Sequence, residues 1–130
     1  MYEKTTHNIR VAVQTYFLAD QSRPMQSHYV WAYEIEIENQ GQTTVQLLNR
    51  HWKITDGKGG QQEVKGPGVV GEQPVLEPGA SFSYSSGTPL RTPSGLMVGT
   101  YEMIDEDGEH FLIDIPAFSL DSPHERTVLN

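Results

Sequence analysis

The sequence has no cysteine among its 130 residues. That excludes disulfides, thiolate metal sites and a cysteine nucleophile, and it is compatible with the cytoplasmic location expected here. Lysine is absent after Lys65. Residues 66–130 set Arg91 and Arg126 against ten carboxylates, while the first 65 residues hold seven charges of each sign, so the second half carries the whole net charge of −8. Phosphate neutralisation needs clustered cations, so general nucleic-acid binding is disfavoured. Long apolar runs are also missing. None approaches the roughly 20 residues of a membrane span, and Met1–His7 shows no apolar stretch behind a basic start. Membrane insertion and a secretory leader are therefore not expected. A stretch with helical periodicity as long as ten residues is lacking too.

What is present is strand patterning. Hydrophobic residues make up 36% of the chain and the mean hydropathy is −0.50, an ordinary soluble composition for one domain spanning 1–130. Tyr29, Trp31, Tyr33, Ile35 and Ile37 alternate with Glu34, Glu36 and Glu38. A strand sends successive side chains to opposite faces, so this run predicts an apolar inner face and an acidic outer one. Ile9–Asp20 predicts a strand before it, and Thr43–Thr55 one after it, with Leu48, Arg50, Trp52 and Ile54 in one phase. An arginine in phase with core residues must snorkel or be paired.

Further strands are expected at Gln61–Lys65, a polar edge, and at Ala80–Ser86, Leu96–Ile104 and His110–Ile115, with a short final piece at Ala117–Leu120. Glu77-Pro78-Gly79 reads as a type II turn and Asp107-Gly108 as a hairpin turn. Gly87–Gly95 reads as an irregular crossing. Residues 1–6 are read as a loose start, about 7–120 as the ordered core, and 121–130 as a tail. Seven to eight short strands with regular turn signals predict an all-β, immunoglobulin- or fibronectin type III-like antiparallel sandwich.

The most distinctive stretch is Gly66-Pro67-Gly68-Val69-Val70-Gly71-Glu72-Gln73-Pro74. Its first six residues match G-x-G-x-x-G, but the dinucleotide fingerprint requires a helix after the last glycine. Pro74 and Pro78 exclude that helix. Two readings remain. Glycine amides at Gly66, Gly68 and Gly71 can form a nest for phosphate or pyrophosphate, with Lys65 or Arg50 nearby. Alternatively, the adjacent Val69 and Val70 present an apolar tip to a protein partner. Arg50 and His51 adjoin the loop, on opposite faces of their strand. Asp105, Asp107 and Glu109 are weak candidates for a divalent cation, since hard cations favour several oxygens, but EF-hand spacing is absent. The five histidines show no zinc spacing, and no nucleophile elbow occurs. The chain is therefore expected to be non-enzymatic and without a cofactor, and an exposed sheet edge leaves homo-oligomer formation open.

Taken in order, several segments resemble the ApaG family. They are Leu48-Asn49-Arg50-His51-Trp52-Lys53-Ile54-Thr55-Asp56, Val64-Lys65 with the glycine loop through Pro74, Leu76-Glu77-Pro78-Gly79, Tyr84-Ser85-Ser86-Gly87-Thr88-Pro89-Leu90, Thr92-Pro93-Ser94-Gly95 and Asp105-Glu106-Asp107-Gly108. The resemblance covers nearly the whole chain. It implies a fibronectin type III- or immunoglobulin-like sandwich and a link to cobalt and magnesium resistance, the phenotype for which the bacterial family is named. It also implies a protein-interaction role, because related domains occur in larger eukaryotic proteins, among them an F-box protein and a DNA-polymerase-interacting protein. The family carries no established catalytic residues, so it assigns none here.

Overall fold

A computed structural model describes residues 1–124. Nine strands follow in order: β1 Tyr2–Thr6, β2 Ile9–Phe17, β3 Tyr29–Asn39, β4 Val45–Asp56, β5 Gln61–Pro67, β6 Val75–Leu76, β7 Ser81–Leu90, β8 Gly95–Asp105 and β9 His110–Leu120. Two single 3-10 turns, Ala19–Gln21 and Pro24–Gln26, lie between β2 and β3. One sheet has the order β1-β2-β3-β7. The other has the order β5-β4-β8-β9, with β6 also paired to β4. Every pairing is antiparallel. The fold is the expected all-β sandwich, with nine strands rather than seven or eight.

The alternation in β3 works as its sequence dictates. Trp31, Tyr33, Ile35 and Ile37 are buried, while the glutamates between them face outward. Across the interior, Tyr33, Trp52 and Phe118 form an aromatic triangle with ring centroids 5.7 to 5.9 Å apart, which joins the two sheets. Each such pair contributes about 0.5–1.5 kcal/mol beyond the area it buries.

Four local expectations are corrected. Residues 1–6 are not loose. They form β1, paired with β2 through a tight turn in which both His7 and Asn8 have positive φ, 49° and 65°. That geometry matches the right-handed twist of the flanking strands even without glycine. β1 also covers one side of the sandwich: Tyr2 Oη meets Ser119 Oγ at 2.8 Å, and Lys4 pairs with Asp114 at 3.0 Å.

Leu48 does not share the core phase with Trp52. The register between β4 and β8 shifts between Leu47 and Asn49, so Leu48 is an extra, bulged residue. Before the bulge Val45 and Leu47 point inward; after it Arg50, Trp52 and Ile54 do. Gly87–Gly95 is not all irregular, because β7 runs unbroken to Leu90. Pro89 is tolerated there because β7 is an edge strand whose outward N–H needs no partner. Finally, Ala117–Leu120 is no separate piece. β9 absorbs Pro116 in a second bulge, opposite Val98, and continues to Leu120.

Two hairpins are built alike. Asp56 Oδ1 accepts the amides of Lys58 and Gly60 at 2.8 and 2.9 Å, and Asp105 Oδ1 accepts those of Asp107 and Glu109 at 2.9 and 3.0 Å. Each carboxylate thus satisfies two turn donors. Replacing Asp56 or Asp105 with alanine should cost about 1 kcal/mol, as for loss of a helix cap. Asparagine should restore most of it, as read from the urea midpoint of each variant.

Candidate functional site

The loop after β5 is a turn fastened at its neck, and the β4 bulge is part of the fastening. The bulged Leu48 carbonyl accepts the Gly68 N–H at 2.8 Å and Gln73 Nε2 at 2.9 Å. The Leu47 N–H donates to Pro74 O at 3.0 Å, and Gln46 Nε2 to Gln73 O at 3.1 Å. Both ends of the loop are therefore tied to three consecutive residues of β4.

Arg50 supplies the second fastening. Its Nη1 donates to the carbonyl oxygens of Pro67 at 3.0 Å and Gly68 at 2.9 Å. The guanidinium lies flat against Gly66, where a Cβ would stand only 3.0 to 3.2 Å from its atoms. A Cβ there would push the guanidinium back by a few tenths of an ångström, so glycine gives the closest approach. The arginine's inward phase is thereby explained: it is paired with backbone carbonyls, and among the described residues no carboxylate lies within salt-bridge distance of it. Behind it sit three buried phenols, Tyr33, Tyr84 and Tyr101, with the Tyr84 and Tyr101 hydroxyls 2.5 Å apart. Burial raises all three pKa values, and the Arg50 charge opposes the rise. All three are neutral at physiological pH.

The two valines part company. Val69 is 0% exposed and belongs to the core, whereas Val70 is 57% exposed at the tip. The expectation of a paired apolar tip is corrected to a single valine. Val69 is the last residue before the turn and becomes an anchor, while Val70 occupies the turn itself and projects. The Val69 N–H donates to Glu72 O at 2.8 Å, and the Glu72 N–H to Val69 O at 2.9 Å. Val70 and Gly71 make the two-residue turn between them, with φ of 44° and 79°. Both central residues at positive φ define the type I′ class, in which asparagine and glycine are the inexpensive occupants. A β-branched residue at positive φ is an outlier that costs on the order of 1–2 kcal/mol.

Three of the loop's amides, those of Gly68, Val69 and Glu72, are thus engaged within the protein, and the Arg50 charge faces carbonyls. Lys65 points from the β5 edge toward solvent, 3.8 Å from Glu63. The chain leaves Pro74 into β6 rather than into a helix.

Beside the loop, on the outer face of the second sheet, lies a shallow depression of about 460 Å³ that includes Arg50, His51, Pro67, Thr100, Glu102 and Leu112. His51 faces outward as expected, with Nε2 2.5 Å from Glu63 Oε1. That hydrogen bond is the first cause holding the Glu63 carboxyl below its ordinary pKa. Glu102 is likewise lowered, first by Asn49 Nδ2 at 2.6 Å and then by His110 Nδ1 at 3.1 Å. Leu112 is 60% exposed between these polar groups. The sequence reading named Arg50, His51, Lys65, Gly66 and Pro67 but not Asn49, Thr100, Glu102 or Leu112. Cross-strand register alone unites them, and no spacing within one segment signals it. The acids Asp105, Asp107 and Glu109 do not converge. Among the described residues no three His, Asp or Glu side chains form a chelating group.

The model of the ApaG domain matches residues 19–105. The chain belongs to the ApaG family. It is 65% identical to Protein ApaG of Paramagnetospirillum magneticum over 130 residues, covering all of both chains. It is 60% identical to Protein ApaG of Rhodospirillum centenum over 127 residues, 98% of each. Its fold is similar to the crystal structure of a Bordetella pertussis protein described as ApaA, with a TM-score of 0.88 at 45% identity over 93% of this chain and 98% of that one. The matched span begins in the β2–β3 connection and ends with β8. It holds the whole glycine loop, the β4 bulge that fastens it and Arg50. In this ApaG domain the loop therefore lies within the matched family sequence, whereas Leu112, on β9 of the sheet face beside it, lies beyond the matched span.

Proposed function

We propose that this ApaG domain is a non-enzymatic protein-binding module whose contact surface centres on the Val70 turn and extends over Pro67 and Leu112. One observation carries the reading: an exposed valine is held at positive φ at the tip of a turn tied down on both sides. Folding alone favours asparagine or glycine at that position, so the strain is retained for what the side chain contacts. A rigid loop also loses little entropy on association. Val75, 59% exposed on β6, extends the apolar surface at the loop's other end. The polar groups His51, Asn49 and Glu102 suit a rim around the apolar centre.

A partner with an apolar pocket flanked by hydrogen-bonding groups fits this surface. The cobalt and magnesium phenotype of the family would then act through that partner rather than through ions bound here. The phosphate-nest reading receives less support, because the Gly68 amide and the Arg50 guanidinium it would use already have partners.

Affinity capture from native cytoplasm tests the proposal, comparing wild type with Val70→Asp. The variant should keep its circular dichroism and unfold at or somewhat above the wild-type urea midpoint, because the side chain is solvent-facing and aspartate tolerates positive φ better than valine, yet lose the proteins that wild type retains. Equal recovery of the same proteins by both would overturn the reading.

A further inference from the structure

The sandwich has four sheet edges, and they are not equally protected. β1 and β9 cover one another through the Tyr2–Ser119 and Lys4–Asp114 contacts. β5 is open but guarded. The Gly68 N–H to Leu48 O bond sets the phase of its ladder with β4, so the backbones of Gln61, Glu63, Lys65 and Pro67 face outward. Two of those four are charged and one has no N–H, the usual means of discouraging strand addition.

β7 has almost none of this protection. The Asn39 N–H donates to Ala80 O at 2.9 Å, which fixes the phase of the β3–β7 ladder. Phe82, Tyr84, Ser86 and Thr88 are then the residues that bond to β3, and the N–H and C=O groups of Ser81, Ser83, Ser85 and Gly87 face the free edge. No hydrogen bond within the described residues uses those groups. β7 contains no charged residue and no register shift, and Pro89 blocks only one end.

The side chains around this edge specify what would bind. On the outer face Ser81, Ser83 and Ser85 stand opposite Glu38, Glu36 and Glu34 of β3. The serines are short, leaving a shallow depression over Ser83 and Ser85 walled by Glu34 and Glu36. A strand added to β7 would lie about 10 Å from β3, within reach of a lysine or arginine extending over a serine to a glutamate. Among the described residues Arg10 is the one cation paired with that row, at 2.7 Å from Glu36 and 3.7 Å from Glu38, and it also holds Glu3. Glu34 has no ion-pair partner among the described residues. On the inner face the added strand would meet the partly buried Phe82, whose ring packs 6.3 Å from that of the buried Tyr84.

The geometry points to β7 as a site where an extended peptide segment of alternating basic and apolar residues adds as a fifth strand to the first sheet. Main-chain hydrogen bonds give the affinity, the glutamate row selects basic side chains, and the Phe82 ring selects apolar ones. A second copy of this chain fits less well, because each copy carries a net charge of −8. The site lies on the sheet opposite the Val70 surface and stands independently of it.

The test is titration of the full chain with an acetylated ten-residue peptide of alternating lysine and valine, against a glutamate–valine counterpart, read by amide hydrogen exchange. The lysine peptide should slow exchange at Ser81, Ser83, Ser85 and Gly87, bind more weakly as salt rises, and bind Val70→Asp as well as wild type. Glu34→Gln with Glu36→Gln should weaken it about fivefold, the scale of two exposed ion pairs. Ser83→Pro removes one outward N–H without touching the β3 ladder and should abolish binding. Ser83→Lys with Ser85→Lys should do the same by repulsion if the proline variant folds poorly. Equal binding of the two peptides, protection elsewhere than β7, or protection that appears with protein concentration alone would each overturn the assignment.

Discussion

Val69→Asp should leave the protein without a cooperative unfolding transition, while Val70→Asp, one residue away, should unfold at or somewhat above the wild-type urea concentration, since aspartate tolerates positive φ better than valine. Val69 is fully buried among the apolar residues of the core. Its replacement forfeits about 1.5–3 kcal/mol of apolar burial. It also places a carboxyl group where no donor awaits it, which costs several kcal/mol more whether the group stays ionised or takes up a proton. Domains of this size are stable by only about 5–15 kcal/mol, so the sum consumes most or all of it. Val69→Ala removes the burial without the charge and should cost about 2 kcal/mol. Fluorescence of Trp31 and Trp52, both buried, reports the transition. A cooperative Val69→Asp transition within 1 M urea of wild type, roughly 1–3 kcal/mol on typical slopes, would show that Val69 is not an anchor.

The second large effect is expected at Gly68. Its φ is +63°, and a Cβ there would overlap the Glu72 carbonyl oxygen and stand 3.0 Å from that residue's carbonyl carbon. Both obstacles are backbone, so no side-chain rotation relieves them. Gly68→Ala therefore combines a left-handed conformation, about 1–2 kcal/mol, with a displacement of the turn itself. We expect a loss of roughly 3 kcal/mol and faster amide exchange at Val69 and Glu72, whose mutual hydrogen bonds close the turn. Gly71 provides the contrast: it also has positive φ, but nothing lies within 4 Å of the position of its Cβ. Gly71→Asn should be nearly neutral, since asparagine tolerates that region. If both variants lost the same stability, the clash at Glu72 would not be the cause.

The faces of the sandwich were legible wherever side-chain alternation ran unbroken. β3 is the clearest case, because three glutamates and five large apolar residues leave one possible orientation. Arg50 was legible as an anomaly, since its phase placed a charge among core residues, but its carbonyl partners come from a segment 17 and 18 residues later and no local pattern names them. Bulges were not legible. A single extra residue at Leu48 exchanges the inward and outward phases, and periodicity continues on both sides of it without a mark. β1 was missed because its turn, His7-Asn8, lacks glycine and its strand is mostly polar. β7 was cut short at Gly87 because glycine and proline argue against strand, an argument that fails on an edge where neither an inner packing partner nor an outward N–H is required. The glycine loop was singled out as a candidate site, with Val69 read as part of an apolar tip, whereas Val69 is buried. Its burial depends on the neck held by Leu48 and Gln73, which is a tertiary arrangement.

Strain at Val70 is, on the proposal made above, kept for binding. Val70→Gly tests it most directly, measured for urea stability and for partner capture on the same preparation. Glycine relieves the positive-φ cost, so the variant should gain about 1 kcal/mol while capture is lost. A variant that is less stable than wild type, or one that is more stable yet captures the same proteins at the same yield, would contradict the account.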